Sequence, residues 1–213
     1  MKRIAFYGGS FDPVHVGHLL IARALLERFR LDRFVFIPAF HAPHKVRLKP
    51  TSAYDRYAML CLAARDEDRM LVSRIEIEAP EKPFSVETLP RLNELYPDDK
   101  LFFVMGADSW RDIKTWREWE TVLGLMNHIV ITRLGVDIAF DHVTDHIRQM
   151  IVDVRGNAEL AEPHERRIYI TDAINIDVSA TDIRAKIRGG DPSWKADLPN
   201  EVANYIEKYQ IYT

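Results

Sequence analysis

The sequence feature that most constrains the fold is a turn between the first apolar segment and the first helical pattern. Residues Arg3 to Tyr7 form a short apolar run, which is typical of a buried strand. The segment 8–18 follows and reads G-G-S-F-D-P-V-H-V-G-H. Apolar side chains then recur at helical spacing from Leu19 to Phe29. Segment 8–18 is therefore predicted to connect a strand to a helix.

The residues of this turn suit an anionic ligand. Gly8 and Gly9 allow the backbone to turn tightly and to approach a ligand without a Cβ in the way. The free N–H groups at the start of the helix favour an anion. If the helix begins near Pro13, His15 and His18 share one face at that end. Because imidazoles are donors that can carry positive charge, a polyphosphate is the predicted ligand.

Other interpretations of this turn are less well supported. An isolated H-x-x-H pair more often caps a helix or lies at the surface, but here the histidines coincide with Asp12, Pro13 and two glycines. The Walker phosphate loop and the dinucleotide fingerprint do not match, because Gly8 and Gly9 are adjacent and no Gly-Lys-Ser/Thr follows. Zinc would need further ligands, and the chain has one cysteine and no H-E-x-x-H.

Length and charge restrict the class of protein. A chain of 213 residues can bury one sizeable core, so we expect a single domain over 1–213, with the C-terminal helical part (about 179–213) packed against the sheet. The net charge of −3 argues against nucleic-acid binding. Cys61 is the one cysteine of the chain, so it cannot form an intrachain disulfide. No apolar run suits a signal peptide or a membrane span. We therefore expect a cytoplasmic protein without a membrane partner.

Polar and charged residues also follow other predicted strands at their carboxyl ends. A second apolar strand is predicted at 34–38, and a strand-helix-strand series implies a parallel sheet. Such sheets place ligands beyond the carboxyl ends of their strands. His44 and Lys45 follow the second strand, Gly106 and Asp108 follow the apolar run 101–105, and Arg133 follows the run 128–132. A carboxylate such as that of Asp108 can accept hydrogen bonds from ribose, with helix capping as its alternative role.

A second anion-binding helix start is predicted near the C-terminal end. Ser179 and Asp182 have the spacing of a capping box, and Gly189-Gly190 supplies a helix stop. Beyond capping, Thr181 adds a second hydroxyl and Arg184 lies about one turn further on. Together with the helix N-terminus, these groups can hold phosphate.

The remaining motifs carry a structural alternative. Ser85 is the predicted N-cap of a helix, and Trp116 and Trp119 belong to a stripe whose ordinary role is core packing. We assign Trp116 to a ligand, because an indole holds a planar ring by stacking.

Four segments are predicted to be structural or carry no motif. Ser52 opens a helix whose buried face is expected to carry Tyr54, Ala58, Leu62 and Ala63. Residues 70–78 alternate as in an edge strand. A terminal helix with Pro199 in its first turn is assigned to packing alone. Residues 136–166 carry no motif that indicates a role.

The motifs resemble those of the nucleotidyltransferase superfamily whose hallmark is H-x-G-H. Segment 8–18 matches its first signature, and S-A-T-D-I-R at 179–184 is similar to the second, usually I-S-[ST]-x-x-R. Within that superfamily, the chain resembles the nicotinate-mononucleotide adenylyltransferases. The segments that carry this resemblance are the P-H-K loop at 43–45, P-F-S-V at 83–86, G-A-D-S-W at 106–110 and T-W-R-E-W at 115–119.

The resemblance implies a Rossmann-like parallel α/β sheet with helices on both faces. It implies transfer of the adenylyl group of ATP, with Mg²⁺, to nicotinate mononucleotide, giving deamido-NAD and pyrophosphate. The implied catalytic residues are His15, His18 and Arg184. The implied ATP-binding residues are Gly8, Gly9, Ser10, Phe11, His15, Gly17, His18, Gly106, Asp108, Ser179, Thr181 and Arg184. The implied mononucleotide-binding residues are His44, Lys45, Ser85, Trp116 and Arg133.

Two alternatives remain open at this point. The chain could be another adenylyl- or cytidylyltransferase of the superfamily, such as a pantetheine-phosphate adenylyltransferase, although the pair Ser85 and Trp116 argues against that. It could also be a nucleotide-binding module without turnover, although both intact hallmarks argue against it. The sequence does not distinguish the acid from the amide mononucleotide, and it leaves the oligomeric state open.

Overall fold

The computed structural model describes residues 1–40, 51–79, 83–132, 138–157, 166–172 and 178–213. The strands within them are β1 (Arg3–Gly9), β2 (Arg33–Pro38), β3 (Met70–Val72), β4 (Lys100–Gly106), β5 (Asn127–Ile131), β6 (Ile151–Asp153) and β7 (Ile168–Thr171). They form one seven-stranded sheet in the order β3-β2-β1-β4-β5-β7-β6. The pairs β1–β4, β4–β5, β5–β7 and β6–β7 are parallel. The predicted Rossmann-like α/β fold is confirmed.

Helices occupy most of the described chain between the strands. The α-helices are α1 (Val16–Arg28), α2 (Ala53–Ala64), α3 (Ser85–Leu95), α4 (Ala107–Arg111), α5 (Trp119–Leu125), α6 (Asp145–Gln149), α7 (Ala180–Arg188) and α8 (Asn200–Tyr209). Short 3-10 helices lie at Ile113–Thr115, Arg155–Asn157 and Pro192–Asp197. Among the helices of the described ranges, none is long and apolar enough to cross a membrane.

The chain divides into two compact units. The first comprises Met1–Tyr7, Ala24–Phe34 and Pro83–Asn175, and the second comprises Gly8–Arg23, Val35–Lys82 and Ile176–Thr213. Each unit buries its own set of apolar side chains. Those of the first include Ile4, Phe6, Phe102, Ile129 and Ile170, and those of the second include Val14, Phe36, Met59, Val202 and Ile206.

The central strands of the first unit are mostly apolar, as expected of strands that are buried on both faces. β1 and β4 pair from Arg3↔Lys100 to Tyr7↔Val104. The buried side chain of Asn127 has backbone partners in this unit: its amide donates to the carbonyl of Leu101 (3.1 Å) and accepts the N–H of Arg167 (3.1 Å). These bonds satisfy the buried amide, as a stable core requires.

The prediction of which side chains form the buried face of α2 is wrong. Tyr54 is 65% exposed, whereas Arg56 is 1% exposed and lies on the buried side with Met59 and Leu60. Apolar residues lie around most of this helix, so their spacing does not select a face. Backbone carbonyls of the turn after β1 and of the segments that flank α2 on its N-terminal side select it instead, because they accept the hydrogen bonds of Arg56.

The strand predicted at 70–78 is also shorter than expected. Pairing covers only Met70–Val72. The N–H of Ser73 still donates to the carbonyl of Phe36 (2.8 Å), but the N–H of Glu78 donates to the carbonyl of Arg74 (2.9 Å). The chain therefore turns on itself where the alternating pattern predicted continued pairing. The predicted terminal helix is present, but Pro199 is its N-cap rather than a residue of its first turn.

Candidate active site

The turn after β1 lies in the second unit and differs in detail from the expected one. Gly8 and Gly9 still belong to β1, and the left-handed backbone angle falls on Phe11 (φ 47°). The Asp12–Pro13 peptide bond is cis. Helix α1 begins at Val16 rather than near Pro13, so His15 precedes the helix and His18 lies in its first turn.

Gly9 is required by the packing of Phe11. A Cβ at Gly9 would lie 2.9 Å from Cζ of the Phe11 ring, which is closer than carbon atoms approach without displacement. Phe11 is 3% exposed, and its ring packs edge-on against Phe36 and His18, at centroid distances of 5.5 and 5.0 Å. Phe11 therefore helps to fix the position of the His18 ring.

The two histidines of the turn are held against each other. The centroids of the His15 and His18 rings lie 3.7 Å apart, and the angle between the ring planes is 31°. The backbone N–H of His15 donates to Nδ1 of His18 (3.2 Å), and the N–H of His18 donates to the carbonyl of His15 (3.0 Å). Because Nδ1 of His18 accepts a hydrogen bond, the neutral ring carries its proton on Nε2. His18 thus presents an oriented N–H donor.

Both imidazoles are neutral at physiological pH in the ligand-free protein. Burial lowers the pKa of His15 from 6.5 to about 4, although the charge of Asp197 opposes this. Burial also lowers the pKa of His18 well below 6.5, with a further contribution from His15. Desolvation disfavours the charged form, so the pair offers hydrogen-bonding N–H groups rather than a positive charge.

The burial of His15 predicts a pH-dependent stability. Between pH 6.5 and about 4 its imidazole is neutral when folded but protonated when unfolded, so the unfolded state binds more protons. The free energy of unfolding therefore falls as the pH falls through this window, by up to roughly 1.4 kcal/mol per pH unit. In urea titrations, His15→Gln should flatten this slope. His146→Gln, at an exposed site on α6, should keep it; equal slopes for wild type and His15→Gln would contradict the prediction.

The predicted cap of α7 is confirmed in the same unit. The hydroxyl of Ser179 accepts from the N–H groups of Thr181 (3.2 Å) and Asp182 (3.4 Å). Arg184 donates from Nη1 to the carbonyl of Asp12 (2.6 Å) and from Nη2 to the hydroxyl of Thr181 (3.3 Å). The two sequence hallmarks, far apart in the chain, are therefore joined directly at Asp12.

Arg56 is a residue of this site that the sequence did not reveal. Its guanidinium donates to the carbonyls of Ser10 (2.6 Å), Ala39 (2.6 Å), Phe40 (3.2 Å) and Thr51 (3.1 Å). It thereby joins the turn after β1 to the segment after β2. No local signal marks this role, since an arginine on a helix usually belongs to a solvated face.

Asp108 and Gly106 lie in the first unit. Gly106 is the N-cap of α4, and a Cβ added to it would meet nothing within 4 Å. The side chain of Asp108 is 88% exposed and forms an ion pair with Arg111 (3.0 Å). Asp108 does not cap the helix, so its carboxylate is accessible to a hydroxyl-bearing ligand.

Ser85 and Trp116 also lie in the first unit. Ser85 is the first residue of α3 and Phe84 is the N-cap, so the expectation that Ser85 caps the helix is wrong. The carboxylate of Glu87 accepts the N–H of Phe84 (2.9 Å) and, with its other oxygen, a hydrogen bond from Arg117 (3.1 Å). One carboxylate therefore links the start of α3 to the residue that follows Trp116.

Comparison with known proteins identifies the family. The family model described as cytidylyltransferase-like matches residues 6–186, a range that includes both hallmarks. This chain belongs to the cytidylyltransferase-like family. Several relatives align with the chain along nearly its whole length.

Two of these relatives carry the name "Probable nicotinate-nucleotide adenylyltransferase". One from Desulfitobacterium hafniense is 36% identical over 211 residues, covering 99% of this chain and 96% of its own. One from Thermus thermophilus is 34% identical over 210 residues, covering 99% of each chain. A solved structure of Plasmodium falciparum nicotinic acid mononucleotide adenylyltransferase complexed with NaAD shares the fold, with a TM-score of 0.72, 19% identity, and coverage of 100% of this chain and 98% of its own.

Some predicted site residues of this family member cannot be placed. His44, Lys45 and Arg133 lie outside the described residues. Among the residues that are described, no group of three or more histidine, cysteine, aspartate or glutamate side chains is arranged to hold a metal ion. The described candidates form two sets, one in each unit: the turn after β1 with the start of α7, and Gly106, Asp108, Ser85 and Trp116.

Proposed function

We propose that this chain transfers the adenylyl group of ATP to nicotinate mononucleotide, giving deamido-NAD and pyrophosphate. The observation that carries the proposal is the joining of the two hallmarks at Asp12 by Arg184, and the first hallmark also holds the oriented imidazole of His18. A capped helix start, a guanidinium and a directed N–H donor form a site for a polyphosphate. The choice of nicotinate mononucleotide as the acceptor of the adenylyl group follows the names of relatives that align along nearly the whole chain.

The proposed reaction is a direct displacement. A phosphate oxygen of the mononucleotide attacks the α-phosphorus of ATP, a new P–O bond forms, and the bond to the β-phosphate oxygen breaks. Pyrophosphate leaves with the electron pair. We propose that ATP enters as its Mg²⁺ complex, so that the metal arrives with the substrate and neutralises part of its charge. Catalysis then depends on positioning and on electrostatic stabilisation.

The residue roles predicted from sequence are retained as proposals. His15, His18, Ser179, Thr181 and Arg184 are proposed to bind the phosphates of ATP, with Gly8, Gly9, Ser10, Phe11 and Gly17 shaping the turn. Gly106 and Asp108 are proposed to bind the ribose. Ser85 and Trp116, together with His44, Lys45 and Arg133, are proposed to bind the mononucleotide. We also propose that residues 1–213 act as one nucleotidyltransferase domain.

Pyrophosphate release from ATP tests the function. Nicotinate mononucleotide, its amide and pantetheine phosphate are supplied as acceptors in parallel reactions. We expect the highest kcat/KM with nicotinate mononucleotide. A preference for pantetheine phosphate would support a different member of the superfamily, and ATP binding without pyrophosphate release from any acceptor would indicate a binding module.

Replacing Trp116 should weaken binding of the mononucleotide selectively. The ring is half-buried and touches Phe103 edge-on at a centroid distance of 6.3 Å. Loss of stacking should raise the KM for nicotinate mononucleotide about 5- to 30-fold in Trp116→Ala, with a smaller change for ATP. Trp119→Ala serves as the control and should change that KM less. Equal effects of Trp116→Ala on both substrates would contradict stacking.

A further inference from the structure

The C-terminal tail has an ordered conformation after α8. Gln210 and Tyr212 both adopt left-handed backbone angles (φ 50° and 73°). The N–H of Ile211 donates to the carbonyl of Ile206 (3.0 Å), and the hydroxyl of Thr213 donates to the carbonyl of Gln210 (2.8 Å). These bonds turn the chain back at the end of the helix, so the tail does not simply continue away from it.

This reversal brings Tyr212 to the turn after β1, within the second unit. The phenol donates to Oδ1 of Asp12 (2.7 Å) across 200 residues of sequence. It also forms a side-chain hydrogen bond with Thr51. Burial is the main reason that the pKa of Tyr212 is raised above its usual 10, and the negative charge of Asp12 raises it further. The phenol therefore remains a neutral donor.

Asp12 is the point at which the elements of the phosphate site meet. Its backbone carbonyl accepts from Arg184 (2.6 Å), and its carboxylate accepts from Tyr212 (2.7 Å). The negative charge of Asp12 also stabilises the protonated form of the buried Arg56, which binds the carbonyl of Ser10 two residues earlier (2.6 Å). A change in the position of Asp12 would therefore move groups on both hallmarks.

We propose that Tyr212 is a positioning residue, which fixes Asp12 and through it the orientation of Arg184 and of the turn that receives ATP. The inference rests on the proposed function, because it assigns ATP to this turn. Tyr212 hydrogen-bonds to Asp12 and Thr51 and interacts electrostatically with Arg184, so each of its partners named here belongs to the side of the site assigned to ATP. Its effect should therefore appear in ATP binding and leave the mononucleotide unaffected.

A conservative pair of variants tests the proposal. Tyr212→Phe removes only the hydroxyl. Tyr209→Phe removes the same group three residues earlier, where the side chain is 57% exposed. We expect Tyr212→Phe to raise the KM and the directly titrated Kd for ATP roughly 5- to 20-fold, the scale of one lost hydrogen bond to a charged acceptor. The KM for nicotinate mononucleotide should change less than about twofold, and Tyr209→Phe should match wild type throughout.

Thermal unfolding separates positioning from a role in stability alone. If Tyr212→Phe lowers the melting temperature but keeps wild-type constants for ATP at a temperature where it is folded, the proposal is overturned. Titration with ATP alone keeps this test independent of the acceptor. Wild-type protein that binds ATP but does not react with nicotinate mononucleotide would contradict the proposed function, and the Kd comparison would still decide the role of Tyr212. Wild-type protein that does not bind ATP would overturn both.

Discussion

Replacing His18 with alanine is expected to lower kcat by roughly 10²- to 10³-fold, the scale of one lost transition-state donor. The proton on Nε2 of His18 is fixed because Nδ1 accepts the N–H of His15 (3.2 Å). A donor that is oriented before the substrate arrives needs little reorganisation as charge develops on the leaving phosphate. The effect should therefore appear in kcat more than in the KM for ATP.

Two further substitutions separate catalysis from local structure. In His18→Asn, the amide oxygen can replace Nδ1 as acceptor for the N–H of His15, but nothing replaces Nε2. In His18→Gln, the longer amide can place a donor near the former Nε2. We expect His18→Asn to be as slow as His18→Ala, and His18→Gln to recover part of kcat. Circular dichroism and urea unfolding should show that all three are folded. A kcat of His18→Ala within a few-fold of wild type would contradict the catalytic role.

The low pKa of His18 shapes this expectation. Burial next to His15 keeps the ring uncharged before a polyphosphate binds, so hydrogen-bond donation from Nε2 does not require a positive charge. Arrival of the polyphosphate would favour protonation of either imidazole, because a nearby opposite charge raises the pKa of a histidine. The turn is therefore better described as a neutral donor pair than as a fixed positive charge.

The parts of the fold that the sequence predicted correctly depend on short-range signals. The apolar run of β1, the helical spacing after it and the cap by Ser179 each involve neighbours within a few residues. The two hallmark motifs indicated the family, which the family model confirms. Helix α1 nevertheless starts at Val16 rather than near Pro13, because the turn is set by the packing of Phe11 on His18 and Phe36.

The parts that the sequence missed depend on contacts between distant segments. Nothing near Tyr212 in the sequence indicates a partner at Asp12, and the terminal helix before it is predicted to serve packing alone. The link between Arg117 and Glu87 (3.1 Å) is likewise invisible to local patterns. The low pKa of His15 follows from tertiary burial, whereas its residue type alone predicts the ordinary value of 6.5.

Arg56 is the clearest of these cases, and its replacement should cause the largest loss of stability. Arg56 is 1% exposed. Its guanidinium donates to four backbone carbonyls, those of Ser10, Ala39, Phe40 and Thr51. Arg56→Met preserves much of the apolar volume but leaves these carbonyls without their donor. Each unsatisfied buried acceptor costs about 1 to 3 kcal/mol, and water entering the site would offset part of the sum. We expect the free energy of unfolding in urea to fall by about 3 to 5 kcal/mol.

Arg65→Met is the matched control at the end of the same helix. The side chain of Arg65 is 51% exposed and forms ion pairs with Asp66 (3.2 Å) and Glu201 (2.8 Å). Exposed ion pairs contribute little, so this variant should lose about 1 kcal/mol or less. If Arg56→Met reduced the free energy of unfolding no more than Arg65→Met does, water would have to satisfy the carbonyl partners of Arg56. Arg56 would then not hold the turn after β1. A large loss confined to Arg56 would show that the turn after β1 is maintained by a buried charge that no local sequence pattern predicts.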